Sequence, residues 1–113
     1  MARGITVYRE VGGDPLYDEP LGSEAMVRQW WSEPATSLGL PLLASIYDQG
    51  FYHGIRWSGV ELAQVQAELA RLQLHWDSMS LPADVAAGLA ERAGYLREAV
   101  EMAMDCGGFV SIA

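Results

Sequence analysis

The chain has 113 residues, half of them hydrophobic and only 19% charged, so it is long enough for one core, too short for two, and too apolar to stay disordered. Fifteen acidic residues against seven basic ones give a formal net charge of -8, which disfavours nucleic acid and anionic membrane as partners. The one cysteine, Cys106, excludes an internal disulfide, and no run approaches the roughly 18 apolar residues of a membrane span. Residues Met1 to Gly13 lack the basic start and apolar stretch of a signal peptide, so the expectation is one soluble domain over residues 1–113, kept in reducing cytoplasm. All the cations are arginine and asparagine is absent, a bias that fits a GC-rich bacterial genome.

Ile5 to Val11 is rich in β-branched and aromatic residues and ends at Gly12-Gly13-Asp14-Pro15, which predicts a first strand. Tyr17 to Leu21 contains Pro20 and reads as irregular. Ser23 is placed to cap a short helix carrying Met26, Val27, Trp30 and Trp31 that Pro34 would stop. Leu42–Tyr47 and Phe51–Trp57 flank Asp48-Gln49-Gly50, a pattern that predicts a hairpin with a three-residue loop. Ser58 and Glu61 have the spacing of a capping box, in which each side chain satisfies the other's backbone N–H, so a helix starts there. Its core face is Leu62, Val65, Leu69, Leu72 and Trp76, within an arc of about 80°. Val60, Ala63, Ala67, Ala70 and Leu74 form a second stripe, expected to receive a closely packed neighbouring helix.

After a short connection, Pro82 suits a first helical turn, and a helix from Ala83 runs to Gly107-Gly108 with Val85, Leu89, Ala93, Leu96, Val100 and Ala103 as its apolar stripe. Phe109 to Ile112 reads as a last strand. The predicted fold is α+β, a sheet of about four strands, mixed or antiparallel, against a C-terminal helical hairpin, in the order β-α-β-β-α-α-β.

Chemistry is sparse in this pattern. Two histidines and one cysteine lie on different elements, which gives no metal set, and a chain without lysine cannot form the Gly-Lys-Ser/Thr phosphate loop. No catalytic residue, metal or cofactor is therefore assigned. In the hairpin reading Ser45 lies opposite His53, but no third group orients the pair and no Gly-x-Ser-x-Gly elbow is present, so a plain polar cross-strand pair is favoured. Cys106 lies at the negative end of a helix dipole, which disfavours its thiolate.

The polar side of the last helix stands out. Asp84, Glu91, Glu98, Glu101 and Asp105 share an arc of about 100°, with Tyr95 and Met102 alongside. Like charges at helical spacing repel, and Asp105 also opposes the helix dipole. Arg92 and Arg97 only flank the stripe. An ordinary solvated face in an acidic protein accounts for the same residues, so the functional reading rests on the missing compensation. That reading is a non-enzymatic binding protein that docks a cationic protein, most concretely a bacterial immunity protein or antitoxin-like inhibitor of a toxin such as a nuclease. Tandem Trp30-Trp31 is a second candidate contact, an apolar interface suited to a homodimer. The alternatives are a small enzyme or ligand-binding domain using Ser45, Tyr47, His53 and Arg56 of the 42–57 hairpin, or a structural homo-oligomer.

Overall fold

In the computed structural model the described residues are 2–52 and 54–113, with backbone alone described at 48–52. Four strands, β1 (Ala2–Tyr8), β2 (Tyr17–Ser23), β3 (Ile55–Ser58) and β4 (Phe109–Ile112), form one antiparallel sheet in the order β2-β1-β4-β3. Five α-helices, numbered below, lie between them in the described residues. The architecture is the expected α+β class, with four antiparallel strands.

Alternation sets the inner face of the sheet. Ile5 and Val7 of β1, Leu21 of β2, Ile55 and Trp57 of β3, and Val110 and Ile112 of β4 are all buried against the helices. Thr6, Tyr8, Arg56 and Phe109 point the other way. There Tyr8 stacks on Phe109 with ring centroids 5.5 Å apart, and the Arg56 guanidinium lies 5.1 Å from the Phe109 ring. β1 ends before the predicted Val11, which sits exposed in the turn that Gly13 closes by donating to the Glu10 carbonyl.

β2 corrects the irregular reading of Tyr17 to Leu21. Gly4 exchanges backbone hydrogen bonds with Ala113 at 2.7 and 3.2 Å, so both its polar groups point toward β4. Its cross-strand partner Pro20 therefore occupies a non-hydrogen-bonded position, with its donor-less nitrogen toward the open edge. An edge strand is where proline is tolerated, and it blunts that edge against strand addition.

Ser23 caps α1 (Glu24–Val27) as expected, its Oγ accepting the Met26 N–H at 3.2 Å. A π-helical turn, Arg28–Ser32, then leads into α2 (Glu33–Leu38). Pro34 does not stop the chain; it sits in the first turn of α2. The Trp30 carbonyl, four residues before Pro34, receives the indole N–H of Trp76 at 2.8 Å. Gly39, at φ 72°, ends α2 in the left-handed conformation.

The predicted hairpin is overturned: Leu42–Tyr47 is helical, within α3 (Pro41–Tyr52), and strand structure begins only at Ile55. Buried Leu40, Leu43 and Ile46 recur at a spacing of three, so the apolar run serves one helix face, and Pro41 fits its first turn. The remaining determinant is tertiary. Buried Glu68 accepts the backbone N–H groups of Leu42 at 3.3 Å and Leu43 at 3.0 Å, and also the Gln64 amide at 2.8 Å. A carboxylate from another helix thus fills the cap position.

α4 (Val60–Asp77) buries the predicted face, with Leu62, Val65, Leu69, Leu72 and Trp76 all at or below 5% exposure. Only half of the capping box forms: the Ser58 N–H donates to Glu61 at 3.4 Å, while Gly59 holds the cap position without a side-chain bond. The second stripe meets no helix. Val60 is 88% and Leu74 68% exposed, and Ala63, Ala67 and Ala70 are exposed between them. The neighbours of α4, which are α2, α3, β3 and α5 (Ala83–Cys106), all gather on its Leu62–Trp76 side.

α5 packs on α4 and crosses β1, β2 and β4, burying Leu89, Ala93, Leu96, Ala99, Val100 and Ala103. Gly107, at φ 68°, terminates it. The next residue, Gly108, passes so close to β1 that a Cβ there would collide with the Tyr8 carbonyl oxygen.

Candidate interaction face

The long helix α5 displays the sequence-predicted acidic stripe. Asp84, Glu91, Glu98, Glu101 and Asp105 are exposed, while Tyr95 and Met102 are half-buried and lean on the core. Among the described residues none of the five carboxylates joins an ion pair. The flanking cations are directed elsewhere or unengaged: Arg97 donates to Gln73 of α4 at 3.0 Å, and Arg92 makes no hydrogen bond or ion pair with a described residue.

The fold adds β2 to this surface. With Pro20 at the edge, the alternate residues Tyr17, Glu19 and Leu21 turn toward α5. The Tyr17 hydroxyl donates to Glu98 at 3.4 Å and the Tyr95 hydroxyl to Glu91 at 2.8 Å, so two phenols hold two of the stripe's carboxylates in place. Burial first, then the charges of Glu98 and Glu19, push the Tyr17 phenol well above its ordinary value. The hydrogen bond to Glu91 is the main cause of the rise at Tyr95, with desolvation and the charges of Glu91 and Glu19 behind it. Both hydroxyls thus remain donors throughout the neutral range. The result is a face of fixed carboxylates with protonated phenols between them, suited chemically to guanidinium and ammonium groups.

Tyr17 and Glu19 escape a sequence reading because Pro20 conceals the two-residue alternation they belong to. The signal was present as Tyr17, Glu19, Leu21 inward and Asp18, Pro20 outward.

The other candidate residues do not converge. Trp31 is 1% exposed and stands edge-on to Trp76, at 5.1 Å between centroids, so it is core, and half-buried Trp30 packs beside it. This pair presents no exposed tryptophan anchor. Ser45 lies on α3 and donates to the Leu42 carbonyl at 2.8 Å, so the pairing with His53 lapses along with the hairpin. His53 lies outside the described residues. Tyr47 faces Arg28, whose guanidinium is 5.9 Å from its ring, whereas Arg56 is on the opposite face of the sheet over Phe109. Among the described residues, Tyr47 and Arg56 line separate concavities. Among the described residues no three His, Cys, Asp or Glu side chains are grouped to hold a metal ion, and no helix is long and apolar enough to cross a membrane.

Compared with protein-family models, with curated proteins and with solved structures, the chain matches none of them.

Proposed function

We propose that this chain is a non-enzymatic binding protein that docks a cationic protein on the face made by α5 and β2. The observation that carries this reading is the absence of compensation. Five exposed carboxylates at helical spacing, joined by Glu19, form no ion pair among the described residues, although the protein has arginines adjacent to them. Repulsion along such a stripe costs a few tenths of a kcal/mol per pair, a cost that a basic partner would convert into affinity and a fast, steered encounter. In its most concrete form the role is that of a cytoplasmic bacterial immunity protein or antitoxin-like inhibitor covering the basic substrate surface of a toxin such as a nuclease.

The test is capture of partners on immobilised protein, with Glu91→Arg/Glu98→Arg/Glu101→Arg as the matched control. A basic protein retained by the unmodified chain, lost with the triple variant and released as salt is raised supports the proposal. Equal retention by both proteins, or retention that ignores salt, rejects it.

A further inference from the structure

Beside the acidic face, and separate from it, lies a concavity of about 290 Å³ between the end of β2, the helical turns after it and α5. That is near the lower end of volumes that hold small ligands. Leu21, Trp31 and Leu89 form an apolar floor, and Arg92 stands at the rim. Two features of this wall have no role in packing. Arg92 is half-buried yet makes no hydrogen bond or ion pair with a described residue, although partly desolvated guanidinium groups normally find a partner. Gly88, inside the long helix, meets nothing within 4 Å of where its Cβ would stand; glycine is a poor helix former, and its missing side chain leaves the pocket open.

We propose that this pocket binds a small amphiphilic monoanion, its carboxylate on the Arg92 guanidinium and a short apolar body over Trp31 and Leu89. Ser23 supplies a second donor: its Oγ accepts the Met26 N–H at 3.2 Å, which leaves its hydroxyl proton to give. Arg92 is the one charged side chain among the residues lining the pocket, which matches a single negative charge on the ligand. A guanidinium takes a carboxylate in a two-point fork, whereas an alcohol of equal length has only the apolar floor to hold it.

Hexanoate is the probe, with hexanol and hexylamine as uncharged and cationic controls, followed by amide and indole NMR shifts of the full chain. Hexanoate is expected to shift Leu21, Trp31, Gly88 and Leu89 with a Kd in the millimolar range of a fragment, at least roughly tenfold tighter than either control. Arg92→Gln, which removes the guanidinium charge but keeps a polar side chain of similar reach, is expected to bring hexanoate to the level of hexanol. Gly88→Ala, which helix propensity favours, is expected to weaken hexanoate and hexanol together while raising Tm. Absence of shifts at these residues, unchanged hexanoate affinity in Arg92→Gln, or a preference for hexylamine each overturns the proposal.

Discussion

The indole nitrogen of Trp76 donates to the backbone carbonyl of Trp30 at 2.8 Å, the carbonyl for which an uninterrupted α-helix would have used the amide of residue 34. Residue 34 is proline and has no N–H to give. The π-helical turn and the tryptophan are thus two parts of one accommodation, in which a side chain 46 positions along the chain replaces a missing local bond. Trp76→Phe should cost about 2–4 kcal/mol, from the lost donor and from the smaller ring beside Trp31. Pro34→Ala restores a local donor, so it should lessen the penalty in the Trp76→Phe background relative to its effect alone. Urea unfolding of the two single variants and the double variant measures that coupling directly.

Glu68 makes α3 dependent on α4. Its removal exposes two amides at the start of a helix within a buried site, so Glu68→Ala should cost about 2–4 kcal/mol. Glu68→Gln keeps one acceptor oxygen and should cost roughly half as much. Amide exchange distinguishes this from general loosening: protection should fall at Leu42 and Leu43 before it falls at Val65 or Leu69.

The phenols give the acidic face an alkaline limit. Both Tyr17 and Tyr95 are raised above the ordinary 10.0, so the folded state holds protons that the unfolded chain releases. Their contribution to stability is therefore complete below about pH 10 and declines as the pH rises from there through their folded values. Tyr17→Phe should flatten the fall of Tm above pH 10. Phenolate absorbance should show one late-titrating group fewer in the same variant; an unchanged titration curve would remove Tyr17 from this role.

Asp105 lies in the last turn of α5, where a negative charge opposes the helix dipole and repels Glu101 one turn earlier. Asp105→Arg should raise stability by about 0.5–1 kcal/mol, a few degrees in Tm, while weakening a cationic partner. Thermal unfolding and a binding titration on the same preparation separate the two effects. A variant that gains stability with undiminished partner affinity would place Asp105 outside the docking face.

Where one helix face did all the burying, the sequence was legible. The Leu62–Trp76 and Leu89–Ala103 stripes are core as their spacing indicates, and Ser23, Gly107 and Pro82 mark helix boundaries. Long-range determinants were not legible. The 42–47 run is apolar enough for a strand beside the Asp48-Gln49-Gly50 turn pattern, and what favours helix there is Pro41 together with a carboxylate 26 residues beyond Leu42. β2 was missed because a proline reads as a breaker unless its nitrogen is known to face an open edge. The acidic stripe was visible in full, but its extension to Tyr17 and Glu19 required the sheet order. The α4 alanine stripe shows the reverse failure, a face patterned for close approach that the chain leaves in solvent.

The placement of β4 between β1 and β3 governs the order in which the molecule can be completed on the ribosome. β1, β2 and β3 leave the exit tunnel first, yet without β4 the β1–β2 hairpin and β3 have no shared hydrogen bonds. Val110 and Ile112 close the sheet and the buried layer beneath it in one late step. Until then the nascent chain holds the β1–β2 hairpin and β3 unjoined, a state in which chaperone contact and premature self-association compete with folding.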